Sequence, residues 1–251
     1  MSTQTAARPA MPVAFHLREA RTRVVRAAVA LVVGVIAGYV LADPILDILR
    51  WPVEVLAQSS DASLNYDTVT GAFDLKLKIA LFAGIVLSSP VWLFELVRFI
   101  SPGLTRRERR YSFGFFFAAL ALFAVGSASG ALLFPHMVQL LTSFAASDDS
   151  TILNASYYVD FVVKLVVATG VAFVIPVIGV LLNFLGIVSA RSLMSSWRII
   201  LVGIVVFSAL VTPSADVMSM FLIALPMAAL FGAALLIAHL HDRRTRVIVP
   251  A

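Results

Sequence analysis

The sequence predicts an all-α membrane protein with six transmembrane helices and both termini in the cytoplasm. Apolar residues make up 61% of the 251 residues and charged residues only 13%, a composition that suits lipid rather than water as solvent. Stretches without Asp, Glu, Lys or Arg also recur six times along the chain, at 27–42, 79–94, 111–147, 165–190, 199–215 and 217–241.

A helix that crosses the bilayer needs about 20 mostly apolar residues. Because charged side chains at helix ends can reach the interface, we extend the stretches into spans one to six. The predicted spans are 24–42, 75–96, 111–134, 157–185, 198–212 and 217–239. Pro135 and the polar residues after it are expected to end span three. Span five has only 13 apolar residues before Thr212, so it is expected to be short and to thin the bilayer, and helix six is expected to be short as well.

Orientation follows from the basic residues, which accumulate on the cytoplasmic side of membrane proteins. Fifteen of the 19 lie in the N-terminal arm, the loop after span two, the turn after span four and the C-terminal tail. The whole chain, 1–251, is thus expected to form one transmembrane domain, with an N-terminal arm at 1–23, a first cytoplasmic loop at 97–110 and a tail at 240–251. A cleaved signal peptide ending near Ala42 is an alternative, but it would leave an odd number of spans.

Prolines and glycines inside the spans predict how the helices bend and pack. Pro90, Pro176 and Pro226 each remove a backbone donor and favour a kink, and kinked helices can form a concave wall. The stretches GVIAG (34–38) and GSASG (126–130) fit the small-xxx-small pattern of close helix contact.

The sequence lacks the residue motifs that enzymes commonly use for catalysis or cofactor binding. There is no Gly-Lys-Ser/Thr phosphate loop, no His-Glu-x-x-His pair and no cysteine, so we expect neither catalysis nor a metal, a nucleotide or another cofactor. The few charges within the spans are expected to pair locally, Asp160 with Lys164 and Glu95 with Arg98.

Two glutamates stand among arginines on the predicted cytoplasmic face, Glu19 in HLREARTR and Glu108 in PGLTRRERR. One interpretation is local neutralisation, with Glu19 pairing with Arg23 four residues on. The other is that both carboxylates are left free enough to accept guanidinium groups of a partner, since arginine matches a carboxylate with two hydrogen bonds.

The chain resembles the TatC family, the multispanning receptor subunit of the twin-arginine protein translocase, from about Phe15 to Leu240. The order and spacing of several short motifs produce this resemblance: HLREARTR, SSPVWLFELVRFISPGLTRRERR, FPH at 134–136, GVAFVIPV at 170–177, TPSAD at 212–216 and ALPM at 224–227.

The resemblance implies a cupped, six-span receptor in the bacterial cytoplasmic membrane that binds twin-arginine signal peptides and exports folded proteins with the proton-motive force. Single-span TatA- and TatB-type subunits, membrane lipids and an oligomeric receptor complex are the implied partners, and no nucleic acid is expected. The implied signal-peptide residues are Glu19, Glu108, Arg21, Arg23, Phe99 and Pro102. Further functional positions are Pro52 in the first outer loop and Asp216 after span five, beside Pro90 and Pro176.

The sequence departs from the family pattern at two positions. Val174 stands where many members carry a glutamate, and Met220 stands where a glutamine follows the turn after span five. A buried polar site in the concave wall is therefore not expected. A small-solute secondary transporter is the alternative function, although such folds usually show an internal repeat that is not evident here. A membrane-embedded enzyme lacks the residues it needs.

Overall fold

The computed structural model describes most of the chain, and almost all of what it describes is helical. The backbone is described for residues 13–57, 63–65, 68–100, 106–142, 152–212 and 217–246. The helices are α1 (Val13–Val40), α2 (Ala42–Ala57), α3 (Gly71–Leu87), α4 (Ser89–Ile100), α5 (Arg106–Thr142), α6 (Ala155–Phe184), α7 (Ala190–Ser195), α8 (Trp197–Val211) and α9 (Val217–Arg246). Two strands, β1 (Ser63–Asn65) and β2 (Ile152–Asn154), complete the described elements.

Four of these helices are long and apolar enough to cross a bilayer, within α1, α5, α6 and α9. A fifth crossing results if α3 and α4 count as one bent span, and α8 is a shorter apolar helix. The all-α class is confirmed, with two short strands in addition. The count of six spans, the cupped shape and the position of the termini remain predictions.

Span two is broken between α3 and α4, whose axes differ by 52°. Pro90 lies in the first turn of α4, where it cannot donate the backbone hydrogen bond that would continue α3. The carbonyl of Ile85 at the break instead accepts a hydrogen bond from Trp92 Nε1 at 3.0 Å. The kink predicted at Pro90 is therefore confirmed.

The lengths of three helices test the predicted span ends. Helix α8 has 15 residues, about 22 Å at ~1.5 Å per residue, so the short apolar helix predicted at span five is confirmed. The sixth span is not short. Helix α9 is 30 residues long in total, and its apolar span alone covers 24 residues, Met220–Arg243. Pro135 does not end the helix, because α5 runs on to Thr142 and buried Phe134 and Met137 pack on either side of the proline, but the apolar span within α5 ends at Met137, close to the predicted end.

Glycines allow two helix pairs to approach backbone to backbone. Helix α1 packs on α3, and α5 packs on α6. A Cβ on Gly34 would lie 2.6 Å from the carbonyl oxygen of Gly84, and one on Gly126 would lie 2.6 Å from that of Thr169. Both distances are too short for any side chain, so the close packing predicted from GVIAG and GSASG is confirmed.

At the α2 end of the bundle, polar contacts join elements that are distant in sequence. Lys78 Nζ of α3 lies 3.2 Å from Asp160 Oδ2 of α6, and Tyr158 donates to the carbonyl of Leu49 at 2.6 Å. The predicted pair of Asp160 with Lys164 is therefore wrong, because the carboxylate reaches across to α3 instead. Strands β1 and β2 pair in parallel and connect the two loops at this end.

Candidate functional site

Three charged residues of the predicted signal-binding patch and its surroundings lie on one side of α1. Glu19, Arg23 and Arg26 are spaced by four and three residues, which places them on the same helix face. The segment before span one is rich in good helix formers, so α1 already begins at Val13. Arg23 forms an ion pair with Glu19 and donates from Nε to Glu19 Oε1 at 3.1 Å. The pairing of Glu19 with Arg23, on which the first of the two interpretations rests, is therefore present.

A fourth charged residue, Glu95 of α4, faces these arginines. Arg23 Nη1 donates to Glu95 Oε2 at 3.0 Å, and Arg26 Nη1 lies 3.5 Å from Glu95 Oε1. Glu95 is buried, whereas Arg98 is exposed and places its guanidinium 5.5 Å from the centre of the Phe94 ring. The predicted pairing of Glu95 with Arg98 is therefore wrong, because Glu95 faces α1 and not the exposed side of its own helix.

Glu19, Arg23, Arg26 and Glu95, the four-residue ion cluster, differ strongly in exposure. The side chains of Arg23 and Glu95 are 14% and 9% exposed, while those of Glu19 and Arg26 are 24% and 59% exposed. A charge in a buried position is tolerated only when it is paired. The pair of Arg23 with Glu95 is thus the inner, structural half of the cluster, and Glu19 lies nearer the surface.

Other predicted site residues are described but do not join the ion cluster. Arg21 is exposed and makes no ion pair with any residue in the described part of the chain, and Phe99 is half-buried in the last turn of α4. Pro90 is exposed at the bend, while Pro176 is buried within α6. Of the predicted signal-binding residues, the structure brings Glu19 and Arg23 together.

Four predicted residues cannot be placed at side-chain level. Pro102 and Asp216 lie outside the described residues. Glu108 belongs to the first turn of α5 and Pro52 belongs to α2, and for both only the backbone is described.

Glu95 is the residue of this site that the sequence reasoning missed. Its signal was present, because it stands in the apolar stretch WLFELVRF, where a carboxylate needs a partner. The nearest arginine in sequence, Arg98, was the wrong choice. A partner 72 residues away on another helix could be found only from the fold.

No metal site accompanies the cluster within the described ranges, which contain no group of three or more His, Asp or Glu side chains placed to hold an ion.

Comparison with known proteins gives a consistent result over most of the chain. The family model described as Sec-independent protein translocase protein (TatC) matches residues 15–226. A TatC from Xylanimonas cellulosilytica is 41% identical over 239 residues, covering 94% of this chain and 87% of that protein. A TatC from Rothia mucilaginosa is 37% identical over 232 residues, covering 91% of this chain and 79% of that protein.

Solved structures support the same assignment. A crystal structure of the twin arginine translocase receptor TatC in DDM matches with a TM-score of 0.79 and 27% identity, covering 89% of this chain and 99% of that one. A second crystal structure of that receptor matches with a TM-score of 0.77 and 28% identity. The chain therefore belongs to the TatC family of Sec-independent protein translocase proteins.

Proposed function

We propose that this protein is the signal-peptide receptor and core subunit of a twin-arginine translocase, which exports folded proteins across the bacterial cytoplasmic membrane with the proton-motive force. Family membership supports the translocase function, and not an enzymatic one. The observation that carries the receptor role is the ion cluster at the start of α1, where a carboxylate near the surface is already engaged with a guanidinium group.

The recognition chemistry follows from the pairing geometry of arginine. A guanidinium presents parallel N–H donors that fit a carboxylate, whereas a lysine ammonium acts as a point charge. Glu19 binds Arg23 in this part of the chain, so its surroundings already suit a guanidinium. Glu19 and Glu108 are proposed to receive the two arginines of the signal peptide, with Arg21, Phe99 and Pro102 flanking them.

The apolar segment of the signal peptide is proposed to bind after the arginines. It would enter the membrane between helices, where each buried CH₂ group contributes about 0.8 kcal/mol. The 52° bend between α3 and α4 supports this step, because a bent span gives neighbouring helices an uneven, concave surface. Charge would thus determine which peptide is recognised, and burial of the apolar segment would drive its insertion into the membrane.

The topology and partners complete the proposal. We propose six spans with both termini in the cytoplasm, single-span TatA- and TatB-type subunits and an oligomeric receptor complex. Family membership and the distribution of arginines support this proposal. The short α8 is proposed to thin the bilayer locally, because its ~22 Å falls short of a hydrocarbon core of about 30 Å.

In-cell photocrosslinking tests the receptor function. A photoreactive residue in the signal peptide, placed either beside the arginine pair or in the apolar segment, reports contact with this protein. Replacing Glu108→Gln should reduce crosslinking beside the arginines more than crosslinking in the apolar segment, and changing both peptide arginines to lysine should do the same. Asp160→Asn, at the other end of the bundle, is the matched control. Equal crosslinking at both positions with transport intact would reject the assignment.

A further inference from the structure

The carboxylate of Glu19 already accepts hydrogen bonds from Arg23, so a signal-peptide arginine would have to share this carboxylate with Arg23. Both hydrogen bonds of Arg23 to this residue, from Nε and Nη2, go to the same oxygen, Oε1. Within the described part of the chain, Oε2 of Glu19 makes no hydrogen bond or ion pair. A carboxylate has about four acceptor positions on its two oxygens, so Glu19 can hold Arg23 and still accept a second guanidinium.

Charge is the obstacle to such a second partner. On α1 alone, one carboxylate stands beside the two guanidinium groups of Arg23 and Arg26, so a visiting arginine would meet a net charge of +1. Glu95 changes this balance, because it contacts both arginines from α4 at 3.0 and 3.5 Å. With Glu95 included, the four-residue ion cluster is neutral, so the cluster itself no longer opposes the approach of another cation.

Burial makes Glu95 the fixed partner in this arrangement. Its side chain and that of Arg23 are 9% and 14% exposed, and separating two charges in such surroundings is strongly unfavourable. Glu19 is more exposed at 24%, so the outer contact of Arg23 is the one that can loosen or be shared. Arg23 keeps a counter-charge in either case.

We infer that Glu95 is a positioning residue of the twin-arginine site: it holds and neutralises Arg23 and Arg26, and so leaves Glu19 able to accept an arginine of the signal peptide. This inference rests on the proposed function. It adds a third carboxylate, on α4, that acts through the arginines of α1 and does not itself contact the peptide.

A binding experiment with charge rescue tests this role. The full-length protein in detergent is titrated with a fluorescent twin-arginine signal peptide, and the dissociation constant is measured at one fixed low salt concentration. Glu95→Gln leaves the cluster with a net charge of +1 and should weaken binding about tenfold, which corresponds to ~1.4 kcal/mol. The double variant Glu95→Gln with Arg26→Gln is neutral again and should recover affinity to within about threefold of the unchanged protein.

The double variant separates charge from structure. If Glu95 only fastened α4 to α1, removing a second member of the cluster would loosen the contact further, and binding would stay weak or fall again. That result would overturn the inference, as would wild-type affinity in Glu95→Gln. The control Asp160→Asn also removes a carboxylate that joins two helices, and it should bind like the unchanged protein. Thermal unfolding of each variant verifies that it is folded.

The same titration distinguishes this inference from the proposed function. If the unchanged protein shows no preference for the twin-arginine peptide over its twin-lysine form, the receptor assignment itself fails. If that preference exists and Glu19→Gln abolishes it, while Glu95→Gln leaves it intact, only the positioning role of Glu95 is wrong.

Discussion

Among the residues that the structure describes, Arg23 takes part in two ion pairs at once and its neighbour Arg26 takes part in one. Arg23 contacts Glu19 on its own helix and Glu95 on α4, and it is largely buried, whereas Arg26 is 59% exposed. An ion pair in water contributes little, but a buried charge that loses its partner is costly. The two arginines should therefore differ in their effect on stability although they share a partner.

Arg23→Gln is expected to lower the free energy of unfolding by about 2–3 kcal/mol, because Glu95 loses its closer partner in a buried position. Arg26→Gln, the matched control, should cost less than about 1 kcal/mol because that side chain is exposed to solvent. Denaturant unfolding in detergent measures both. Equal losses for the two variants would show that the burial of Arg23 does not determine its contribution.

At the scale of elements, two kinds of contact hold the helices together. The first are glycine seams, the close backbone contacts of α1 with α3 at Gly34 and of α5 with α6 at Gly126, and the second are polar contacts between residues of different helices. The seams were predictable, since small residues spaced by four appear directly in the sequence. The polar links were not, because Asp160 pairs with Lys78, 82 residues away, and not with the lysine one turn on. Local spacing shows which pairs can form, but only the packing of α3 on α6 determines which one does.

The close contact between α5 and α6 at Gly126 can be tested by substitution, and Gly114 of the same helix provides the control. Gly126→Ala places a Cβ 2.6 Å from the Thr169 carbonyl oxygen, so the backbones must separate, and we expect a loss of about 1–3 kcal/mol. In the described part of the chain, Gly114→Ala meets no atom within 4 Å of the new Cβ apart from its own helix backbone, so it should be neutral or stabilising by up to ~1 kcal/mol. Thermal unfolding midpoints compare the two, and a harmless Gly126→Ala would contradict the packing.

Asp242 of α9 joins α9 to the turn between α6 and α7. Its carboxylate accepts from Asn183 Nδ2 at 3.0 Å and from the backbone N–H of Ala190 at 2.8 Å. Asp242→Ala removes the acceptor of that buried N–H and should speed its hydrogen exchange at least tenfold, since an unsatisfied buried donor costs about 1–3 kcal/mol and favours local opening. Asp242→Asn keeps an acceptor oxygen and should change it less. Exchange at Ala190 that is equal in all three proteins would exclude this link.

At the scale of the whole molecule, the sequence predicts the membrane class, the helix positions and the bend near Pro90 well, because these depend on apolar length and on proline. The bend near Pro90 and the short α8 agree with that local chemistry. Pro135 shows where prediction from local sequence fails. This residue type usually ends a helix, but tertiary packing keeps α5 helical up to Thr142. The candidate site shows it too: Glu19 and Arg23 pair within one helix, but Glu95 joins them only through the fold.

The predicted topology can be tested with single cysteines, since the natural chain contains none. A membrane-impermeant thiol reagent added to intact spheroplasts should label Thr68→Cys, which is exposed before α3 at the α2 end. Ser192→Cys, exposed on α7, should be labelled only after lysis. The opposite pattern would reverse the orientation of the chain, and with it the location of the ion cluster.

The central claim is that Glu19 recognises an arginine of the signal peptide directly, and a double-mutant cycle measures this contact. Dissociation constants are determined for the unchanged protein and Glu19→Gln, each with the twin-arginine peptide and with peptides in which one or the other arginine is changed to lysine. For one of the two arginines, we expect a coupling free energy of about 1.5 kcal/mol or more, the range of hydrogen bonds to charged groups. Additive effects for both arginines, with coupling near zero, would contradict the account.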